Sequence, residues 1–324
     1  MTMSDPRSRA RHARRLPLLI LLALTMLVAG LVPAASAADP VTPSAGIHFG
    51  AQVSRRYGLS QYESIERFER QIGRPLAIVN RFRSFSDHDY RDERRHLADG
   101  RIPLISWRAT DSALDPNRAQ RIASGEFDEL IRDTARAIRD LGQPVLIRFA
   151  WEMTATRGQR QYIGEPAQFI SAWRRIHDIF AQEGATNGLF VWAPRAAGFK
   201  KGTSQAYYPG DAYVEWIGAS AVPTFSFRTF DTLFNGFYSW ASTRNKPLLI
   251  WMGVRENPDD PSWKADFVTG AHTTLQQWPA VKAFVYYHAQ SPKGYYYWAD
   301  TSTAAFNRYR TMACDPLFRT QFGC

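Results

Sequence analysis

Pro144-Val-Leu-Ile-Arg-Phe-Ala-Trp-Glu-Met153 is a short apolar run, opened by proline and closed by a lone glutamate between Trp151 and Met153. Such a run reads as a strand buried on both faces, as in a parallel sheet. Its last residues turn a carboxyl group out at the strand's C-terminal end. In a barrel of parallel strands, that end is where chemistry sits. An acid wedged between a Trp and a Met is shielded from water, the setting a proton donor needs.

The same pattern repeats on both sides of this segment. Strands are expected at Ile47–Val53, Leu76–Asn80, Ile102–Trp107, Val145–Ala150, Leu189–Ala193, Trp216–Ala219, Leu248–Trp251 and Ala283–Tyr287. Helical spacing separates them: Leu130, Ile131, Ala135, Ile138 and Leu141 in one stretch, and Ile170, Trp173, Ile176, Ile179 and Phe180 in another. Eight strand–helix units over about 280 residues is the size of a (β/α)8 barrel in a single domain. A doubly wound open sheet is the alternative. No Gly-rich phosphate loop follows the first strand, so no dinucleotide cofactor is expected.

The first 38 residues are a separate object. Five arginines, Arg7, Arg9, Arg11, Arg14 and Arg15, precede the apolar stretch Leu16 to Pro33, and Ala35-Ser36-Ala37 supplies small residues for cleavage. We read residues 1–38 as a secretory signal peptide and 39–45 as a short linker, with the barrel over 46–324. A membrane partner is expected only if this segment stays uncleaved as an anchor. Removing it lowers the formal net charge from +10 to +6. The remaining charge is scattered, with no Lys/Arg run of the kind that binds nucleic acid, and that class is rejected. The 45% hydrophobic share with 14% aromatics excludes disorder as the default. Two cysteines, Cys314 and Cys324, bracket the C-terminal tail, and in an exported chain they are expected to form a disulfide rather than stay free. With no other Cys and scattered His, no metal site is expected.

Several motifs in combination resemble glycoside hydrolase family 26. They are Pro144–Met153, Ala172-Trp-Arg-Arg-Ile-His-Asp-Ile-Phe180, Gly184-Ala-Thr-Asn187 and Val191-Trp-Ala-Pro194. Further matches are Gly73-Arg-Pro-Leu-Ala-Ile-Val79, Ile102-Pro-Leu-Ile-Ser-Trp107, Tyr208-Pro-Gly-Asp211, Lys246-Pro247 and Asp300-Thr-Ser302. The resemblance implies a (β/α)8 barrel acting on a polysaccharide, chiefly as an endo-β-1,4-mannanase. It also implies that Glu152 is the general acid/base. The family places that glutamate in His-Glu-Met-Asn-Gly; here Trp151-Glu152-Met153-Thr154-Ala155 keeps the Glu and changes the His and Asn. The family's nucleophile is a Glu at the end of strand 7, two residues before a Gly. In Lys246-Pro-Leu-Leu-Ile-Trp-Met-Gly253 that position falls at Trp251 counted back from the Gly, or at Met252 counted forward from the Pro. Neither has a carboxylate. Arg108 and Arg195 also stand where the family commonly has Glu and Asn.

Retaining cleavage of a glycoside needs a protonated acid and a carboxylate nucleophile about 5 Å apart. Trp and Met cannot form the covalent intermediate. An inverting route uses a second carboxylate about 6.5–9.5 Å away, and Glu256, just beyond Gly253, is the candidate for it. Its structural reading is a solvated turn, Glu256-Asn-Pro-Asp-Asp260, before the next helix. Glu152 has a structural reading too, as a buried carboxylate paired with Arg148 or Arg195.

Trp107, Trp151, Trp192, Tyr286 and Tyr287 fall near strand ends, where rings can stack on sugars or simply pack the barrel. Trp298, in the Tyr295-Tyr-Tyr-Trp298 segment, and His288 complete the expected substrate-binding set. Arg81, Arg83, Arg108, Arg195 and Arg255 follow strand ends and suit an anionic glycan, unless loop acids such as Asp87, Asp89 and Asp111 pair with them. Three readings result: a secreted glycan-binding barrel that has lost retaining hydrolysis; an active endo-glycosidase with Glu152 as acid and a relocated second carboxylate; and a non-catalytic extracellular scaffold for a protein partner.

Overall fold

The computed structural model describes residues 41–111, 114–155, 157, 159, 161–223, 226–318, 320 and 322–324. The signal segment expected over 1–38 lies outside the described residues. Eight strands, β1 (His48–Val53), β2 (Ile78–Arg83), β3 (Ile102–Trp107), β4 (Val145–Phe149), β5 (Gly188–Trp192), β6 (Trp216–Ala221), β7 (Leu248–Met252) and β8 (Val281–His288), close into a barrel in chain order. Every neighbouring pair is parallel, and the ladder from His48↔Ala283 to Val53↔His288 seals β1 to β8. That closing ladder establishes the (β/α)8 barrel and removes the open sheet.

The helices are α1 (Gln61–Ile72), α2 (Arg91–Ala98), α3 (Arg118–Ala123), α4 (Asp128–Arg139), α5 (Pro166–Gln182), α6 (Phe230–Ala241), α7 (Trp263–Gln276) and α8 (Thr303–Ala313). Their boundaries follow local chemistry. Ser60 and Glu63 form a reciprocal capping box at the start of α1, and Gly73 ends it at φ 83°, a left-handed conformation that glycine adopts without strain. Ile65, Phe68 and Ile72 share the face that α1 buries against the barrel. In α4, Ile131, Ala135 and Ile138 do the same. Proline opens α5, where its missing N–H has no intrahelical partner to lose.

Strand pleating sorts the apolar residues into two layers. Val79, Ile105, Val145, Ile147, Phe190 and Ile250 face the helices. Ile78, Leu104, Leu146, Leu189, Val191 and Leu249 fill the lumen. Each such side chain, when fully buried, contributes about 1.5–3 kcal/mol. Val41 is buried with the lumen residues and its carbonyl accepts a 2.8 Å bond from His48 Nε2. The packed barrel therefore begins within the stretch expected to be a linker.

β2 runs past the expected end at Asn80, and this decides two arginines. Arg81 and Arg83 fall on the helix-facing parity. Arg81 pairs with Asp92 of α2 at 2.6 Å, and Arg83 pairs with the buried Glu93 and, at 3.0 Å, with Asp87. Burial works against the Arg83 charge, but its two carboxylate partners outweigh it and raise its pKa. Neither guanidinium points into the barrel, which corrects the expectation that both stand around the cleft.

The tail is held in two ways. Cys314 and Cys324 are disulfide-bonded, as expected. Buried Arg74 donates to the carbonyls of Ala313, Phe318 and Phe322 at 2.8, 2.7 and 2.8 Å.

Candidate active site

β4 ends at Phe149 because the backbone turns into the left-handed region at Ala150 (φ 42°) and again at Glu152 (φ 60°). Two hydrogen bonds stitch the turn across the barrel rim: Ala150 N–H to Trp107 O at 2.9 Å and Glu152 N–H to Ala193 O at 3.0 Å. These hold the Glu152 carboxyl over the end of β5. There Arg195 Nε lies 3.3 Å from its Oε2, with the Glu152 side chain 15% and the Arg195 side chain 37% exposed. Arg195 also donates to Gln159 at 3.3 Å.

Arg148 does not join this pair. It lies on the lumen parity of β4, fully buried, and donates to Ser106 Oγ at 2.8 and 3.1 Å and to Ser220 Oγ at 3.2 Å. Its guanidinium sits 4.4 Å from the Trp251 ring and 5.4 Å from Trp151. Burial pushes the Arg148 pKa down to about 9, against the pull of the Glu152 charge. Among the described residues no carboxylate comes within 4 Å of it.

The lumen beside Arg148 is closed by aromatic rings. Trp251 is buried on the lumen parity of β7 and donates its indole N–H to Asn80 Oδ1 at 2.8 Å. Tyr287 lies 5.1 Å from Trp251, and Phe82 lies 6.2 Å from Trp251 and 5.1 Å from Trp151. Met252 is buried on the opposite parity, among the residues that face the helices. Of the two positions where counting placed the missing strand-7 carboxylate, only Trp251 enters the lumen.

Several expected ligand contacts belong to packing instead. Trp107 is buried against Phe85, Phe149 and Phe180, and Trp192 against Phe199, Tyr208 and Trp240. Both rings lie between barrel and helices and offer no face to a sugar, which corrects their assignment to the cleft. Tyr286 is buried on the same side, with its hydroxyl on Val254 O at 3.2 Å. His288 is also buried and helix-facing: its Nδ1 accepts the Ala299 N–H at 3.0 Å, and burial lowers its pKa to about 3. It is no titrating group of the cleft. Trp298 is buried over His288 at 4.9 Å and under Arg56 at 4.5 Å. Tyr296, in the same segment, is 56% exposed, while Arg255 lies 5.1 Å from the Tyr295 ring.

Glu256 is tied into the loops after β7 and β8. It accepts from Thr301 Oγ1 and lies 3.7 Å from the ammonium of buried Lys264. That ammonium also donates to Trp298 O and Thr301 Oγ1, both at 2.6 Å. Burial lowers the Lys264 pKa to about 8, and the Glu256 charge opposes the shift. Glu256 is thus a partner of Lys264 and Thr301 in the loops after β7 and β8. The polar lumen residues Asn80, Ser106 and Ser220 were missed in the sequence. Their signal was a polar residue at lumen parity within an otherwise apolar strand.

A closed (β/α)8 barrel with a carboxyl held at the C-terminal rim belongs to the class whose chemistry sits at the strand ends. Residues 101–239 match the profile of glycosyl hydrolase family 26, the family that the sequence motifs resemble. It is 25% identical over 268 residues to endoglucanase H of Acetivibrio thermocellus, covering 76% of this chain and 28% of that protein. It is 28% identical over 136 residues to a β-1,3-xylanase of a Vibrio species, covering 40% of this chain and 28% of that one. The chain therefore spans little more than a quarter of these relatives' length. In fold it is similar to a family 26 β-mannanase from Bacteroides ovatus, with TM-score 0.64, 17% identity and 85% and 90% of the two chains covered. It is also similar to the catalytic domain of an endo-β-1,4-mannanase from Bacillus sp. JAMB-750, with TM-score 0.67, 14% identity and 85% and 89% covered.

Proposed function

We propose that this chain is an exported family 26 barrel that binds a polysaccharide at its rim and has lost retaining hydrolysis. The observation that carries the reading is the Trp251 indole, which fills the lumen at the strand-7 position and is fastened to Asn80 at 2.8 Å. A glycosyl-enzyme cannot form on an indole, and Glu152 alone leaves the developing positive charge unanswered. Support for an acidic glycan comes from the cationic side chains of Arg195 and Arg255 at the rim.

The test is release of new reducing ends from neutral and acidic polysaccharides, comparing the unaltered chain with Glu152→Gln, alongside retention of each polysaccharide in affinity electrophoresis. The reading expects retention by both proteins and release by neither. Release that disappears in Glu152→Gln would instead establish a working glycosidase. Equal retention of neutral and acidic polymers in low and high salt would remove the acidic glycan. The glycosidase reading is favoured by one observation: Glu152 is held in a left-handed backbone conformation that structure tolerates mainly at working sites.

A further inference from the structure

Gln52 is the last lumen-facing residue of β1, with Ala51 and Val53 on either side turned toward the helices. It is 4% exposed. One end of its amide is engaged, with Nε2 donating to Ser54 Oγ at 3.3 Å. The other end, Oε1, is buried and has no hydrogen-bond partner among the described residues. Exchanging the two amide atoms would change only which polar atom is left open. Buried acceptors are almost always satisfied, so an open one at the mouth of a barrel calls for a donor that arrives from outside.

The surroundings suit a sugar. Gln52 is in register with Tyr287 of the adjacent strand, and Tyr287 stacks toward Trp251 at 5.1 Å. A carbonyl acceptor beside a half-buried ring presents what a pyranose needs: an apolar surface for its C–H face and a partner for one hydroxyl. Oε1 is shielded from solvent, so a donor reaches it only when a neighbouring side chain shifts. We propose that Gln52 is a specificity-determining residue of the rim site, accepting a hydrogen bond from one hydroxyl of the bound glycan. The assignment rests on the glycan-binding reading above and adds to it a named contact.

The probes are mannotetraose, cellotetraose, β-1,3-xylotetraose and a tetramer of galacturonate, with monodeoxy analogues of whichever is bound, titrated against the unaltered chain and Gln52→Met. Methionine keeps the length and removes both polar ends. The expected result is a thermal midpoint equal to or above that of the unaltered chain, and about ten-fold weaker binding. One monodeoxy analogue should lose the same factor with the unaltered chain and nothing further with Gln52→Met. If the methionine variant fails to fold, the monodeoxy series on the unaltered chain still decides, since the proposal requires one sensitive hydroxyl. Binding that tolerates every single deletion, or a coupling that persists in Gln52→Met, overturns the role of Gln52 and leaves glycan binding standing. No binding of any probe by the unaltered chain overturns both.

Discussion

Trp251 on β7 donates its indole N–H to Asn80 on β2 at 2.8 Å, so two strands that share no ladder are joined across the barrel lumen by one side chain. The ring also lies 4.4 Å from the Arg148 guanidinium. Trp251→Ala should therefore lose about 3–5 kcal/mol of stability through the cavity alone. Trp251→Phe keeps most of the ring and removes the N–H, and should lose about 1–2 kcal/mol. Urea unfolding of the two variants checks both values. A phenylalanine variant as unstable as the alanine one would place the effect in the hydrogen bond rather than in the ring.

Trp251→Glu places a carboxylate at the lumen-facing strand-7 position, beside Arg148 and Asn80. The charge is buried, yet it gains a guanidinium partner, so the fold should survive at lower stability. On the proposed reading, reducing-end release should appear on a glycan that the unaltered chain retains without cleaving. It should vanish again in the Trp251→Glu, Glu152→Gln double variant. Release by the single variant that persists in the double one would separate the new activity from Glu152.

The buried Arg83–Glu93 pair fixes α2 against β2. Glu93→Ala strands the guanidinium with only the half-exposed Asp87, and should lose about 3–5 kcal/mol. Differential scanning calorimetry should show a correspondingly lower midpoint. Arg91→Ala removes an exposed, solvent-screened pair with Asp89 and should leave the midpoint essentially unchanged.

Two buried histidines contribute to the acid response. Burial lowers His288 to about 3 and His96 to about 4, from an ordinary 6.5. Between these values the unfolded chain binds more protons than the folded one. Stability is therefore full above pH 6.5 and is lost as pH falls toward 4. His288→Asn keeps an acceptor for the Ala299 N–H and cannot protonate there, so its midpoint should fall less between pH 7 and pH 5. Identical pH slopes in the two proteins would assign the acid loss elsewhere.

The barrel was legible in the sequence because every strand is a short apolar run separated by helical spacing, and the closing β1–β8 ladder follows from eight such units. The facing of individual rings was not. In β5, Leu189 and Val191 enter the lumen while Phe190 and Trp192 face the helices. Both parities are apolar, so no contrast in the sequence distinguishes a ring near the cleft from one in the outer layer. β2 shows the converse case: its extension through Arg83 was hidden by two arginines that read as loop residues until Asp92 and Glu93 of α2 were seen beside them. Glu152 was found because it is a lone acid at a strand end. Its arginine partner was narrowed to two and decided only by where β4 stops.

Ala150 and Glu152 both hold left-handed backbone angles without being glycine. Glycine at either place would relieve strain of roughly 1 kcal/mol or more. A lineage selected for robustness alone has an easy substitution available at both codons. In this chain neither has been taken, although 21 glycines occur elsewhere. Laboratory drift of the gene under selection for solubility alone should convert these two positions early, and selection for ligand capture should hold them.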